Sequence, residues 1–175
     1  MLLVELQSKI KPIVNLPNLI KLIKLESRAL MCYNFSMDEL LSPQLLEQRL
    51  KEAKEFKEKG DIQQSCEKIY SVVESLIKIL AEKENVEAYR EAMSGDGWNT
   101  YLLGEAVAEL DEKYSKDKNF EDLLLSIWKA TYFLHRVGFH DNYISIKDFE
   151  KSYKFILKNL PKIALKAGIK LKIEP

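Results

Sequence analysis

The stretch Leu50 to Glu82, LKEAKEFKEKGDIQQSCEKIYSVVESLIKILAE, carries the end of one helix, a turn and a long second helix. In the second helix Ile62, Cys66, Ile69, Val73, Leu76 and Leu80 advance by alternating steps of four and three residues, which places them on one stripe of a 3.6-residue helix. That stripe has to be buried. Tyr70 and Ile77 widen it, so the helix is expected to touch more than one neighbour. Gln64, Glu67, Lys68, Ser71, Glu74 and Lys78 occupy the opposite side, with Glu74 one turn before Lys78 for a supporting ion pair. Gly60 can close the preceding helix in a left-handed conformation, and the Asp61 carboxylate can cap the next one. Two helices joined this tightly lie roughly antiparallel, and neither covers its apolar stripe with the other alone. The sequence therefore predicts an all-α antiparallel bundle of about five helices.

The remaining helices follow from the same signals. Ser42-Pro43 suits a helix start, with Leu46, Leu50 and Ala53 facing inward until about Lys59. Val86 to Met93 has room for one or two helical turns before Ser94-Gly95-Asp96-Gly97 breaks the chain. Asn99 caps a third helix running to about Tyr114, with Trp98 folding back on Leu103. Gly104 inside that helix points to close packing against a neighbour, and Lys113, Lys116 and Lys118 mark a solvated loop. A fourth helix opens at Asn119, buries Phe120, Leu124, Ile127, Thr131 and Leu134 on one side and Trp128, Tyr132 and His135 on another, and ends at Gly138. Phe139 to Ile144 reads as loop. Ser145-Ile146-Lys147-Asp148 resembles a capping box for a fifth helix, which Pro161 bends or restarts and Gly168 ends.

Composition narrows the function classes. Lys plus Arg and Asp plus Glu number 27 each, so global charge gives no argument for nucleic acid or an anionic membrane. Cys32 and Cys66 have no metal-ligand spacing and fit a reduced, cytoplasmic protein. The two histidines make a zinc site unexpected, and no metal or cofactor is predicted. Residues 1 to 36 form a basic extension, interrupted by Pro12 and Pro17 and expected to be loosely attached to the domain of residues 37 to 175. Its Leu19 to Leu25 segment is amphipathic and is the only stretch that suggests a membrane-surface anchor, against the general expectation of no membrane partner. Neither a phosphate-cradling Gly-rich loop with Lys, nor His-Glu-x-x-His, nor a nucleophile elbow occurs.

The run Gly60-Asp61, Gln64, Glu67-Lys68, Tyr70, Ile77-Lys78 and Ala81-Glu82, with Leu134-His135 later, resembles the archaeal PaREP family over about residues 40 to 165. Ser65-Cys66 and Tyr70 depart from the Ala-Ser and Trp of that pattern, and Arg136 to His140 departs from an Asn-Phe-Tyr-Glu type of sequence. The resemblance implies a helical bundle similar to HEPN domains, which include nucleotide-binding partners of small nucleotidyltransferases and ribonucleases of toxin-antitoxin systems. On this basis the leading expectation is a non-catalytic binding or interaction module, a homodimer through exposed apolar helix faces, with nucleotide or RNA as ligand and a nucleotidyltransferase or antitoxin as partner. The rival expectation is a metal-independent HEPN-type ribonuclease using Arg136 and His140, although three intervening residues are fewer than the four to six of that motif. Candidate groove residues are Glu67, Lys68, Lys78, Tyr70, Trp98 and His135. Each has a plainer reading: the charges as a solvated face, Trp98 as a helix staple, His135 as a core histidine satisfied by a neighbouring hydroxyl or carbonyl.

Overall fold

The computed structural model describes residues 42–118, 120 and 122–172. The basic extension, its amphipathic segment, Cys32 and Asn119 lie outside the described residues. Within them every regular element is helical: α1 (Pro43–Glu58), α2 (Ile62–Glu84), α3 (Glu87–Ser94), α4 (Thr100–Tyr114), α5 (Leu123–Phe133), a π-helix (Leu134–His140) and α6 (Ile146–Lys166).

The turn between α1 and α2 forms as its residues dictate. Gly60 takes φ +80°, and the Asp61 amide returns to the Phe56 carbonyl at 2.9 Å, which satisfies the carbonyls that a helix end leaves orphaned. The Asp61 side chain then accepts from the Gln64 amide. Ser42, Asn99 and Ser145 cap α1, α4 and α6 in the same manner. The start of α3 has no cap of its own, and the carboxylate of Glu109 on α4 supplies one, accepting from the amides of Glu87 at 2.7 Å and Ala88 at 3.0 Å.

Helix α2 is the centre of the bundle and packs against each of the other elements. Cys66, Ile69, Val73, Leu76 and Leu80 are fully buried, together with Val72, Ile77 and Ala81. Leu46 and Ala53 from α1, Leu110 from α4, Leu124 and Ile127 from α5 and Phe149, Ile156 and Leu160 from α6 close around that stripe. Ser65 enters the core because its hydroxyl donates to the Ala53 carbonyl at 2.8 Å, which removes the cost of burying it.

Several expectations change. Residues Glu87–Ser94 form the two helical turns the sequence left room for, and counting them as a helix gives six α-helices and a π-helix among the described residues. Lys113 lies within α4 and pairs with Glu84 at 2.9 Å. A β-carbon placed on Gly104 would meet nothing within 4 Å; the residue leaves an opening where close packing was expected. Helix α5 starts at Leu123, after Asp122 in the left-handed region. Of its second stripe Trp128 is buried, whereas Tyr132 remains 40% exposed. Pro161 interrupts nothing: α6 runs through it to Lys166.

The largest change is at Gly138. It does not end the helix; it is buried in the middle of the π-helix. A β-carbon there would lie 2.5 Å from Cys66 Sγ and 3.3 Å from Cys66 Cβ. Glycine is required because the widened turn lies directly on the thiol of α2. The Gln63 side chain secures this approach by donating to the Phe139 carbonyl at 2.8 Å.

Candidate functional site

The π-helix changes which side chains meet. With five residues per hydrogen-bonded turn, residues five apart become neighbours. His135 and His140 come together with their Nε2 atoms 3.0 Å apart. Arg136 is paired with Asp141 at 3.5 Å, its side chain 60% exposed. Arg136 and His140 therefore stand on one surface turn, but each is engaged with a different residue.

Glu67 on α2 completes the arrangement, its carboxylate 2.8 Å from His135 Nδ1. An ionised carboxylate only accepts, so a neutral His135 carries its hydrogen on Nδ1 and presents a lone pair at Nε2. His140 Nε2 must then be the donor between the rings. The result is a directed chain, His140 to His135 to Glu67, that runs from an exposed imidazole to one whose side chain is 16% exposed.

Burial lowers the pKa of His135 below the ordinary histidine value, and His140 adds to this, while the Glu67 carboxylate opposes it. Burial also pushes the Tyr70 hydroxyl up to about 12, with Glu74 and Glu67 reinforcing the effect, and the Cys66 thiol to about 12 with help from Glu67. Both stay protonated at neutral pH. Neither is a nucleophile there.

His135 is flanked by aromatic rings. Tyr70 stacks on it at 3.8 Å between centroids, Phe139 lies at 5.6 Å, and Trp128 lies 6.0 Å from Tyr70 and 5.8 Å from Tyr132. The row Tyr132, Trp128, Tyr70, His135 is continuous across α5, α2 and the π-helix. At its Tyr132 end, Thr100, Tyr101, Gly104 and Glu105 of α4 complete a surface pocket of about 270 Å³ with Trp128 and Tyr132. Gly104 lines it without a side chain, with open space where a β-carbon would go, and Tyr101 is 68% exposed.

Of the residues singled out from sequence, Glu67, Tyr70, His135 and His140 are brought together. Lys68 is drawn to Glu52 of α1 at 2.6 Å, Lys78 pairs with Glu74 at 2.6 Å, and Trp98 packs half-buried against the core with its Nε1 lacking a hydrogen-bond partner among the described residues. The polar side of α2 is thus committed to side-chain pairs and is not a freely solvated face. Sequence reasoning missed the His135–His140 pair, the pocket at Gly104 and the part played by Tyr101. The available signal was two histidines five apart around a glycine, which looks like a helix end unless the turn is known to be wide. No set of three or more His, Cys, Asp or Glu side chains among the described residues is placed to hold a metal ion.

The sequence pattern of the archaeal PaREP1/PaREP8 family matches residues 43–159, from the first turn of α1 to the last third of α6. The chain belongs to this family. The matched span of this PaREP1/PaREP8 member holds the whole Glu67–His135–His140 chain and the pocket at Gly104. A crystal structure of a protein from Sulfolobus solfataricus is similar to it at 29% identity and a TM-score of 0.56, over 69% of this chain and 94% of that one. No curated protein matches the chain. Among the described residues, no helix of this PaREP1/PaREP8 bundle is long and apolar enough to cross a membrane.

Proposed function

We propose that this protein is a non-catalytic binding module that takes an unpaired base of a nucleotide or of RNA at the pocket above Gly104. The observation that carries this reading is the surface pocket of about 270 Å³ lined by Tyr101, Trp128 and Tyr132. A base has a π-face that stacks on exposed aromatic rings, and such a contact contributes about 1–3 kcal/mol per base. Thr100 and Glu105 at the rim offer polar atoms to a base edge. The exposed apolar side chains Phe133 and Phe155, which border a second surface depression, support self-association as a homodimer. A nucleotidyltransferase or an antitoxin would be the corresponding partner protein, in the cytoplasm.

The test is fluorescence anisotropy with a short labelled single-stranded RNA, and competition by AMP, both in EDTA. Saturable binding is expected, weakened by roughly 5–150-fold in Tyr132→Ala, the range that the loss of one stacked base implies. No saturable binding to RNA or nucleotide, or binding that Tyr132→Ala leaves unchanged, refutes the reading.

The chain from Glu67 through His135 to His140 favours one second reading, a metal-independent ribonuclease in which His140 moves the proton and Arg136 faces developing charge. It requires cleavage of structured RNA in EDTA that disappears in His140→Ala. Intact RNA in both samples eliminates it and leaves the binding module.

A further inference from the structure

We infer that His135 and His140 form a surface clamp for a divalent late transition metal of the zinc class, with Glu67 orienting the first imidazole. Three observations lead to it. The two Nε2 atoms lie 3.0 Å apart, on rings set nearly at right angles with centroids 4.5 Å apart. Glu67 holds the opposite nitrogen of His135 at 2.8 Å, the carboxylate–histidine arrangement that fixes a ligand's tautomer and raises its basicity. The pair also sits at the surface, since His140 is exposed.

The geometry accepts an ion with little movement. Zinc–nitrogen bonds are about 2.0–2.1 Å long, so an ion bonded to both nitrogens at their present separation subtends roughly 95°. Opening the pair by roughly 0.3–0.4 Å reaches the tetrahedral angle. The exposed His140 side chain can supply that shift by rotating.

The protons balance without a base. His140 donates from Nε2 to His135 in the metal-free pair, and on binding it carries its hydrogen on Nδ1 instead, so both Nε2 lone pairs face the metal. Neutral imidazoles suit zinc, nickel and copper and give a hard cation such as magnesium little reason to bind. Water would fill the remaining positions. Phe139, 5.6 Å from the His135 ring and 5.1 Å from that of His140, is the apolar wall beside the clamp.

This inference stands apart from base binding, which is measured in EDTA. Isothermal titration of zinc ion into the metal-free full chain tests it. One saturable site is expected, with affinity reduced at least tenfold in His140→Ala and about 10–100-fold in Glu67→Gln, the range typical when a partner of a ligating histidine is removed. Circular dichroism matching the wild type shows that each variant folds. Absence of saturable zinc binding, or wild-type affinity in either variant, overturns the clamp; the latter places any metal at other residues.

Discussion

His135 is held toward its neutral form chiefly by burial, against the pull of the Glu67 carboxylate. Burial and His140 disfavour its imidazolium, and the Glu67 carboxylate, which accepts a hydrogen bond from Nδ1–H, partly opposes them. The folded-state pKa is lower than the unfolded value, so the folded chain binds fewer protons than the unfolded one in acid. The stabilisation is present in full above the unfolded value of about 6.5 and is lost as pH falls through the lowered one. Thermal melts in EDTA should show the wild type losing more stability between about pH 7.5 and 5.5 than His135→Gln, which retains a donor for Glu67. Parallel curves would show that His135 does not contribute to the acid limb. From the sequence His135 was legible as a half-buried ring on the stripe of Trp128 and Tyr132. Its partners were not, because Glu67 is 68 residues away on another helix.

At the scale of elements, two glycines have opposite roles that sequence cannot separate. Gly138 lies against Cys66, and Gly104 has open space where a β-carbon would go. Gly138→Ala forces the π-helix away from α2 and should cost about 1–3 kcal/mol, the usual range for inserting a methyl group into a packed core. Cys66→Ala removes the obstructing sulfur, so the same substitution made in that background should cost less, and denaturant unfolding of the four chains measures the coupling. Additive costs would mean that the widened turn does not depend on this contact. Gly104→Ala should instead raise stability by up to about 1 kcal/mol, because alanine is the better helix former and nothing obstructs it. A lower melting temperature for Gly104→Ala would contradict the open space at that position. Helical periodicity made the ends of α1, α2 and α6 readable, but it assumes 3.6 residues per turn and so took Gly138 for a terminus.

For the whole molecule, α2 is the element on which all the others rely. Leu76 is fully buried in it and belongs to the core that α1, α4, α5 and α6 share. Leu76→Ala should cost about 2–5 kcal/mol and lower the melting temperature of the whole bundle in one transition. Circular dichroism with loss of only part of the helical signal would show that the outer helices fold without α2. The sequence by itself determined the helical class, the Gly60-Asp61 hairpin, the buried stripe of α2 and the family likeness, because caps and the spacing of apolar residues act over a few neighbouring positions. Only the tertiary structure decided the site. The packing of Gly138 on Cys66 accompanies a five-residue turn, and that turn, with Glu67 arriving from α2, sets His135 against His140. Such a contact depends on the distance between two helix backbones, a quantity that no local pattern of residues encodes.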